Sequence, residues 1–318
     1  MNIFWITFES TFVAIVRIAL VCIGAGLLMR KNIITRSHVE SLSTVMIRVL
    51  LPCLIFSKII RAFNPKTFPI WWILPLIACG MVLTGLLAAW LAFRREMPSK
   101  RNMLPLASIQ NAGYLVLPLG SVLYAETFDT FALYCFLYNL GITPFLWGIG
   151  KYFVTGDTQD NFTWKKLITP PLIANLLALT MVFTHTRSII PETVLGSVTL
   201  LGSAAVPVAT FILGATLGSI SLSKLPPITD TLKVILIKLF LIPLITIWVL
   251  HLSGCKSSYP LLTGFLMLEA ATPAATGFII QIRSYGGDEQ KVGSIMLASY
   301  LICMVTIPFW MALWNIIG

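Results

Sequence analysis

Ten apolar stretches of about 19–29 residues follow one another along this chain, with short polar interruptions between them. They occupy about 8–29, 38–62, 70–93, 102–125, 128–153, 167–185, 191–219, 229–252, 258–282 and 290–317. A helix needs roughly 20 mostly apolar residues to cross the hydrocarbon layer of a bilayer, so each stretch reads as one membrane span. The connections are short. The longest runs from about Val154 to Lys166 and carries Gly156, Asp157, Asp160, Lys165 and Lys166. It predicts a polar loop between two halves of five spans, 1–153 and 167–318, with 154–166 as the connection.

The prolines suggest that the halves are copies. Pro52 in the second span and Pro207 in the seventh are 155 positions apart, and so are Pro118 in the fourth and Pro273 in the ninth. Pro144-Phe145 in the fifth span returns as Pro308-Phe309 in the tenth, 164 positions on. The nine extra positions match the polar stretch Arg283 to Lys291. A unit with five spans enters the membrane from opposite sides in its two copies, which predicts an inverted repeat, a plan common among secondary transporters.

Composition supports the membrane reading. Of 318 residues, 57% are hydrophobic and 11% charged, against about 25% charged in soluble domains, so lipid must cover the surface. The net charge of +10 is spread over loops, which points to topology and not to nucleic acid. The odd-numbered loops hold Arg30, Lys31 and Arg36; Arg94, Arg95, Lys100 and Arg101; Lys151, Lys165 and Lys166; Lys224; and Arg283 and Lys291. The even-numbered loops hold only Arg61, Lys66, Arg187 and Lys256. The bias toward positive charge inside predicts odd loops in the cytoplasm and both termini outside, in a multi-pass cytoplasmic (inner) membrane protein. The first apolar run, Phe8 to Met29, has no preceding basic residue and no evident cleavage site, so it reads as a permanent span. The six cysteines form no CxxC pair and read as small buried hydrophobes.

The chemistry concentrates in the fourth and ninth spans. The fourth reads Gln110-Asn111-Ala112-Gly113-Tyr114 and on to Pro118; the ninth reads Glu269-Ala270-Ala271-Thr272-Pro273 and on to Thr276-Gly277. Proline removes the hydrogen bond to the carbonyl four residues back, which predicts free carbonyls at Tyr114 and Glu269. Such groups must find a partner or line a cavity in lipid. At repeat-equivalent positions the pair favours two broken helices over two simple kinks. Half-helix N-termini suit an anion, and unwound carbonyls suit a cation. Asn111 is either a ligand contact or interhelical glue, and Gln110 is a weaker candidate of the same kind. Glu269 is the only acidic residue near the middle of a span, where an ionised side chain costs about 2.5–3.5 kcal/mol. It titrates or binds a cation, or it is a structural partner of Arg48 or Lys238. Arg48, four residues before Pro52, attracts a carboxylate or snorkels to the interface. The histidines, His38, His185 and His251, fall near span ends, and no catalytic constellation is found, so the chain does not read as an enzyme.

These residues carry a resemblance. Leu51-Pro52-Cys53-Leu54-Ile55-Phe56, Asn111 through Pro118-Leu119, Leu201 through Pro207 and Thr272-Pro273-Ala274 are similar to the auxin efflux carrier superfamily, especially its bacterial malonate or malate permeases. The resemblance covers nearly the whole chain, though each motif is short. It implies an all-α fold of ten helices in two inverted repeats, with spans four and nine crossing at their breaks. It implies a scaffold of spans 1, 2, 6 and 7, an elevator-like movement of the others and a homodimer. Asn111, Pro118 and Pro273 would mark the crossover. The central loop is shorter than in many plant auxin carriers, which argues against auxin itself. Glu269 is similar to the sodium-site acids of bile acid symporters, which share the overall fold.

The expected function is secondary transport of a small organic anion, a carboxylate or dicarboxylate, driven by a proton or sodium gradient or by the substrate's own gradient, with no cofactor. Substrate binding is expected at Asn111, Gln110, Gly113, Pro118, Thr272, Pro273 and Arg48. Ion coupling is expected at Glu269, Tyr114 and Thr276. The rivals are a sodium-coupled symporter of bile-acid-like anions and a non-transporting membrane sensor, for whose output domain the ten spans leave no room.

Overall fold

The computed structural model describes residues 2–149, 152–153, 168–221, 226–285 and 288–317. The connection 154–166, Lys151 and Lys224 lie outside the described residues. Among the described residues, seven helices are long and apolar enough to cross a membrane: Ile3–Arg30, Arg36–Ala62, Ile73–Glu96, Ala125–Gly148, Glu192–Gly218, Ile228–Ser253 and Glu289–Ile317. They are spans one, two, three, five, seven, eight and ten of the sequence reading. The sixth, Pro170–Phe183, is shorter. Pro170 and Pro171 lie at its first positions, where no N–H is needed, and Thr169 Oγ1 caps it by accepting from the Leu172 N–H. The fourth and ninth are interrupted.

Three of the prolines act by widening a helix, not by breaking it. Pro52, Pro118 and Pro243 each follow a π-helical stretch: Met46–Leu50, Ala112–Val116 and Leu236–Leu241. The residue before each proline donates five positions back, Leu51 to Met46, Leu117 to Ala112 and Ile242 to Ile237. A proline ring crowds the carbonyl of the preceding turn and offers it no hydrogen. One wider turn makes room, and the helix continues.

Spans 1 and 7, 2 and 6, and 2 and 7 pack together. Spans 3, 4 and 5, and spans 8, 9 and 10, make a second set of contacts; 1 against 10 and 2 against 5 join the groups. Large apolar side chains such as Leu20, Leu200, Trp248 and Leu301 are exposed on the outside, as a lipid-facing surface requires.

Glycines let the first group close up. A Cβ at Gly202 would stand 2.7 Å from the Leu54 backbone, and one at Gly214 would stand 2.3 Å from Cys22 Cα. Both contacts are with backbone, which cannot swing aside. Gly214→Ala is therefore expected to cost about 1–3 kcal/mol by overpacking. Gly24→Ala, with nothing within 4 Å, serves as the control and leaves stability unchanged. Thermal unfolding of the purified variants checks this, and an unchanged Tm for Gly214→Ala would refute the close approach.

Candidate functional site

The fourth span is helical over Met103–Ser108 and again from Ala112; between them Ile109 is extended and Asn111 is not helical. The ninth is helical over Pro260–Ala271 and Gly277–Tyr285. Thr272 is extended, at φ −80° and ψ 149°, as expected before a proline. The two breaks meet. Gln110 and Ala274 form an antiparallel bridge, and the Ala275 N–H donates to the Ile109 carbonyl at 3.2 Å. Each break thus satisfies backbone groups that the other exposes, where no water is available.

The break in the fourth span lies at Ile109–Asn111 and not at Gly113–Pro118, where the proline pattern puts it. Pro118 widens a turn, and Asn111 starts the second half-helix by accepting the Tyr114 N–H on Oδ1 at 3.3 Å. Its amide donates to the Tyr300 hydroxyl, which in turn donates to the Ala274 carbonyl at 3.1 Å. Tyr300, from the tenth span, therefore ties the two breaks together. Sequence reading missed it, because one tyrosine in an apolar helix carries no spacing signal.

This changes the ranking of the two amides. Both ends of Asn111 are spent inside the protein. Gln110 is 1% exposed, and neither Oε1 nor Nε2 has a hydrogen-bond partner. Burying such a group unpaired costs about 1–3 kcal/mol, so of the two amides it is Gln110 that is left free to meet a ligand.

Gln110 opens on a cavity of about 150 Å³ between spans 2, 4, 5, 6 and 9. Its polar lining includes Gln110, Asn111, Tyr114, Asn139, Thr143 and Asn175. The Tyr114 hydroxyl is buried without a partner, and so is the Asn175 Oδ1. Gly113 and Gly277, at the beginnings of the two second half-helices, also face it. Both N-termini thus direct partial positive charge and N–H groups toward the same small space.

Several expected site residues lie elsewhere. Arg48 is exposed and does not line the cavity, so it is not among the groups gathered at the breaks. Pro118, Thr272, Pro273, Thr276 and Glu269 are buried around the breaks but are not part of the lining either. The Glu269 carbonyl is not free: the Thr272 N–H reaches it at 3.3 Å and the Thr272 hydroxyl at 2.7 Å. The carbonyl at Glu269 that the proline pattern predicts to be free for a cation is therefore already bonded.

The basic residue that interacts with Glu269 is Lys238, which forms no direct hydrogen bond with it. Glu269 and Lys238, from the eighth span, are both fully buried and interact electrostatically. Lys238 Nζ donates to the Ser108 carbonyl at 3.1 Å, at the end of the first half of span four. Neither carboxylate oxygen of Glu269 has a hydrogen-bond partner.

A family model described as "Membrane transport protein" matches residues 10–156 and 155–311, nearly the whole chain. The chain belongs to this family, part of the auxin efflux carrier superfamily. It is also 25% identical over 290 residues to an "Uncharacterized transporter" of Methanothermobacter thermautotrophicus, covering 88% of this chain and 90% of that protein. The cavity at the paired helix breaks thus lies in a protein of a membrane transport family.

Proposed function

We propose that this protein is a secondary transporter of a small carboxylate or dicarboxylate, bound at the paired breaks of spans four and nine. The observation that carries the reading is the Gln110 amide, buried, unpartnered and facing a cavity into which two half-helix N-termini also point. Amide donors and helix ends suit a carboxylate. The cavity, about 150 Å³, falls below the roughly 300–1,000 Å³ of sites for drug-sized ligands, which favours a small acid over a bile-acid-like one.

The two packing groups support an elevator-like movement, with spans 1, 2, 6 and 7 as the scaffold and the others carrying the breaks. The cavity lies where spans 2 and 6 of the first group meet spans 4, 5 and 9 of the second. It reaches Trp147, Thr169 and Pro171, next to the central connection. With odd loops in the cytoplasm it faces inward. That topology puts Ser99 inside and Asn2 outside. Single cysteines there are expected to react with an impermeant reagent in intact cells at position 2 and not at 99; the reverse pattern would overturn the orientation.

Counterflow of labelled malonate, malate and indole-acetate in proteoliposomes tests the substrate class, and accumulation of a dicarboxylate is the expected result. Gln110→Ala is expected to weaken apparent affinity by roughly ten- to a hundredfold, the value of a hydrogen bond to a charged group, at nearly unchanged Tm. Asn111→Ala is expected to lower Tm, because it removes both a helix cap and the link to Tyr300. Unchanged affinity in Gln110→Ala would move the binding site elsewhere.

A further inference from the structure

A second cavity, of about 320 Å³, lies between spans 1, 7 and 10. It owes its existence to small residues. Gly26, Gly214 and Gly218 bring the backbones of spans 1 and 7 together, and the side of this seam facing span 10 is left without bulk to fill it. The walls are aliphatic and aromatic, with Leu213, Leu217, Leu297 and Met304 among them. Ile23, Leu27 and Leu301 stand exposed at its rim, so the furrow opens sideways to the bilayer.

One charged residue lines it. Arg30, at the end of the first span, is exposed and has no acidic partner among the described residues. Lys31 follows it, while Arg36 is already paired with Glu289 at 3.5 Å. Along the first span the lining runs from Ile15 to Arg30. At 1.5 Å per residue that is about 22 Å, the thickness of one leaflet with its headgroup zone, half of about 40–45 Å. An apolar furrow of leaflet length, open to the membrane and ending in an unpaired guanidinium, matches one kind of molecule in both shape and charge.

We propose that this furrow is a binding site for an anionic glycerophospholipid, with an acyl chain lying between spans 1, 7 and 10 and its phosphate on Arg30. The guanidinium forks onto phosphate oxygens in a way a zwitterionic choline headgroup partly cancels. The lipid belongs to the leaflet that carries the first connection, the cytoplasmic one in the topology proposed above. The chain would also lie against Leu115 and Tyr300, two residues of the furrow wall that border the paired breaks.

Native mass spectrometry of the full-length protein, incubated with equal amounts of phosphatidylglycerol and phosphatidylcholine, tests the site. The wild type is expected to retain one phosphatidylglycerol per chain with about a fivefold preference, as attraction of one arginine to an anionic headgroup allows. Arg30→Gln, a change at an exposed position, is expected to abolish the preference. Ala19→Phe, which fills the furrow, is expected to release both lipids. Equal retention of the two lipids by the wild type would overturn the proposal. So would a preference that survives Arg30→Gln, or retention unaltered in a folded Ala19→Phe protein.

Discussion

Lys238→Met is expected to cost this protein about 3–5 kcal/mol, and adding Glu269→Gln in the same chain is expected to return most of it. Lys238 and Glu269 are both fully buried and interact electrostatically without a direct hydrogen bond between them. Lys238 keeps a partner in the Ser108 carbonyl, whereas the Glu269 carboxylate has no hydrogen bond at all. Removing the lysine therefore leaves the acid in low dielectric without the group that favours its charged form. Removing both charges strands nothing, because a neutral amide beside a thioether costs far less to bury. Equal Tm losses in the single and double variants would show that packing, and not charge, sets the cost. Glu269 is also the group on which proton coupling can be tested. Gln keeps the shape of Glu269 without its charge. Uptake driven by an imposed proton gradient is therefore expected to be lost in Glu269→Gln while substrate exchange survives. Normal gradient-driven uptake in that variant, at normal protein levels, would make the pair purely structural.

The spans were legible because membrane burial writes itself into sequence as length and apolarity, with little dependence on what packs against what. Pro52, Pro118 and Pro273 were also visible, but what a proline does was not. At Pro52 and Pro118 the lost hydrogen bond is absorbed by a wider turn; at Pro273 the chain leaves the helix at Thr272. The choice depends on what stands opposite. The opened strand at 272–276 finds backbone partners in Ile109 and Gln110, and this pairing across 160-odd positions has no local signature. The same reason explains the exchange of roles between Gln110 and Asn111. Both are amides beside a break. Only the position of Tyr300, on another helix, decides which of them is used up. Glu269 was legible as an anomaly, one acid in mid-span, and so was Lys238 as a candidate partner. That Thr272 takes the carbonyl of Glu269 depends on the local turn, which spacing alone did not reveal.

The breaks and the spans around them are held at two levels. Tyr300 ties the two breaks together, and an ion-pair network joins the polar ends of elements packed around them. Asp230, at the start of the eighth span, is fully buried and accepts from Lys100 in the connection after span three and from Lys291, at 2.9 Å, at the start of span ten. Lys233 pairs with Glu96 at 2.5 Å and Lys100 approaches the same carboxylate at 3.8 Å. Span eight is thereby tied to the connection after span three and to the start of span ten.

Removing both lysines that face Asp230 is expected to cost much more than removing Asp230 itself. Asp230 is almost wholly shielded, its side chain 1% exposed, while Lys100 and Lys291 are 21% and 20% exposed. Without Asp230 the two ammonium groups can turn to water along their flexible stems, so Asp230→Asn is expected to cost only about 1–3 kcal/mol. In the Lys100→Met, Lys291→Met double variant the carboxylate has nowhere to go, and a loss of about 3–5 kcal/mol is expected. Each single lysine variant leaves one partner in place and should fall well below half of the double loss. The cost is therefore expected to be strongly non-additive, as for groups sharing one partner. The pH dependence has a definite sign. The hydrogen bond to Asp230 raises the Lys100 pKa above its ordinary 10.5. The stability it contributes is present in full below the unfolded value and is lost only as pH rises through the raised one. Wild-type Tm should thus fall as pH is taken above about 10.5, and the Lys100→Met protein should show a shallower fall over the same range. Additive losses from the two lysines, or an alkaline limb that is the same in Lys100→Met, would show that Asp230 is held by something other than these two cations.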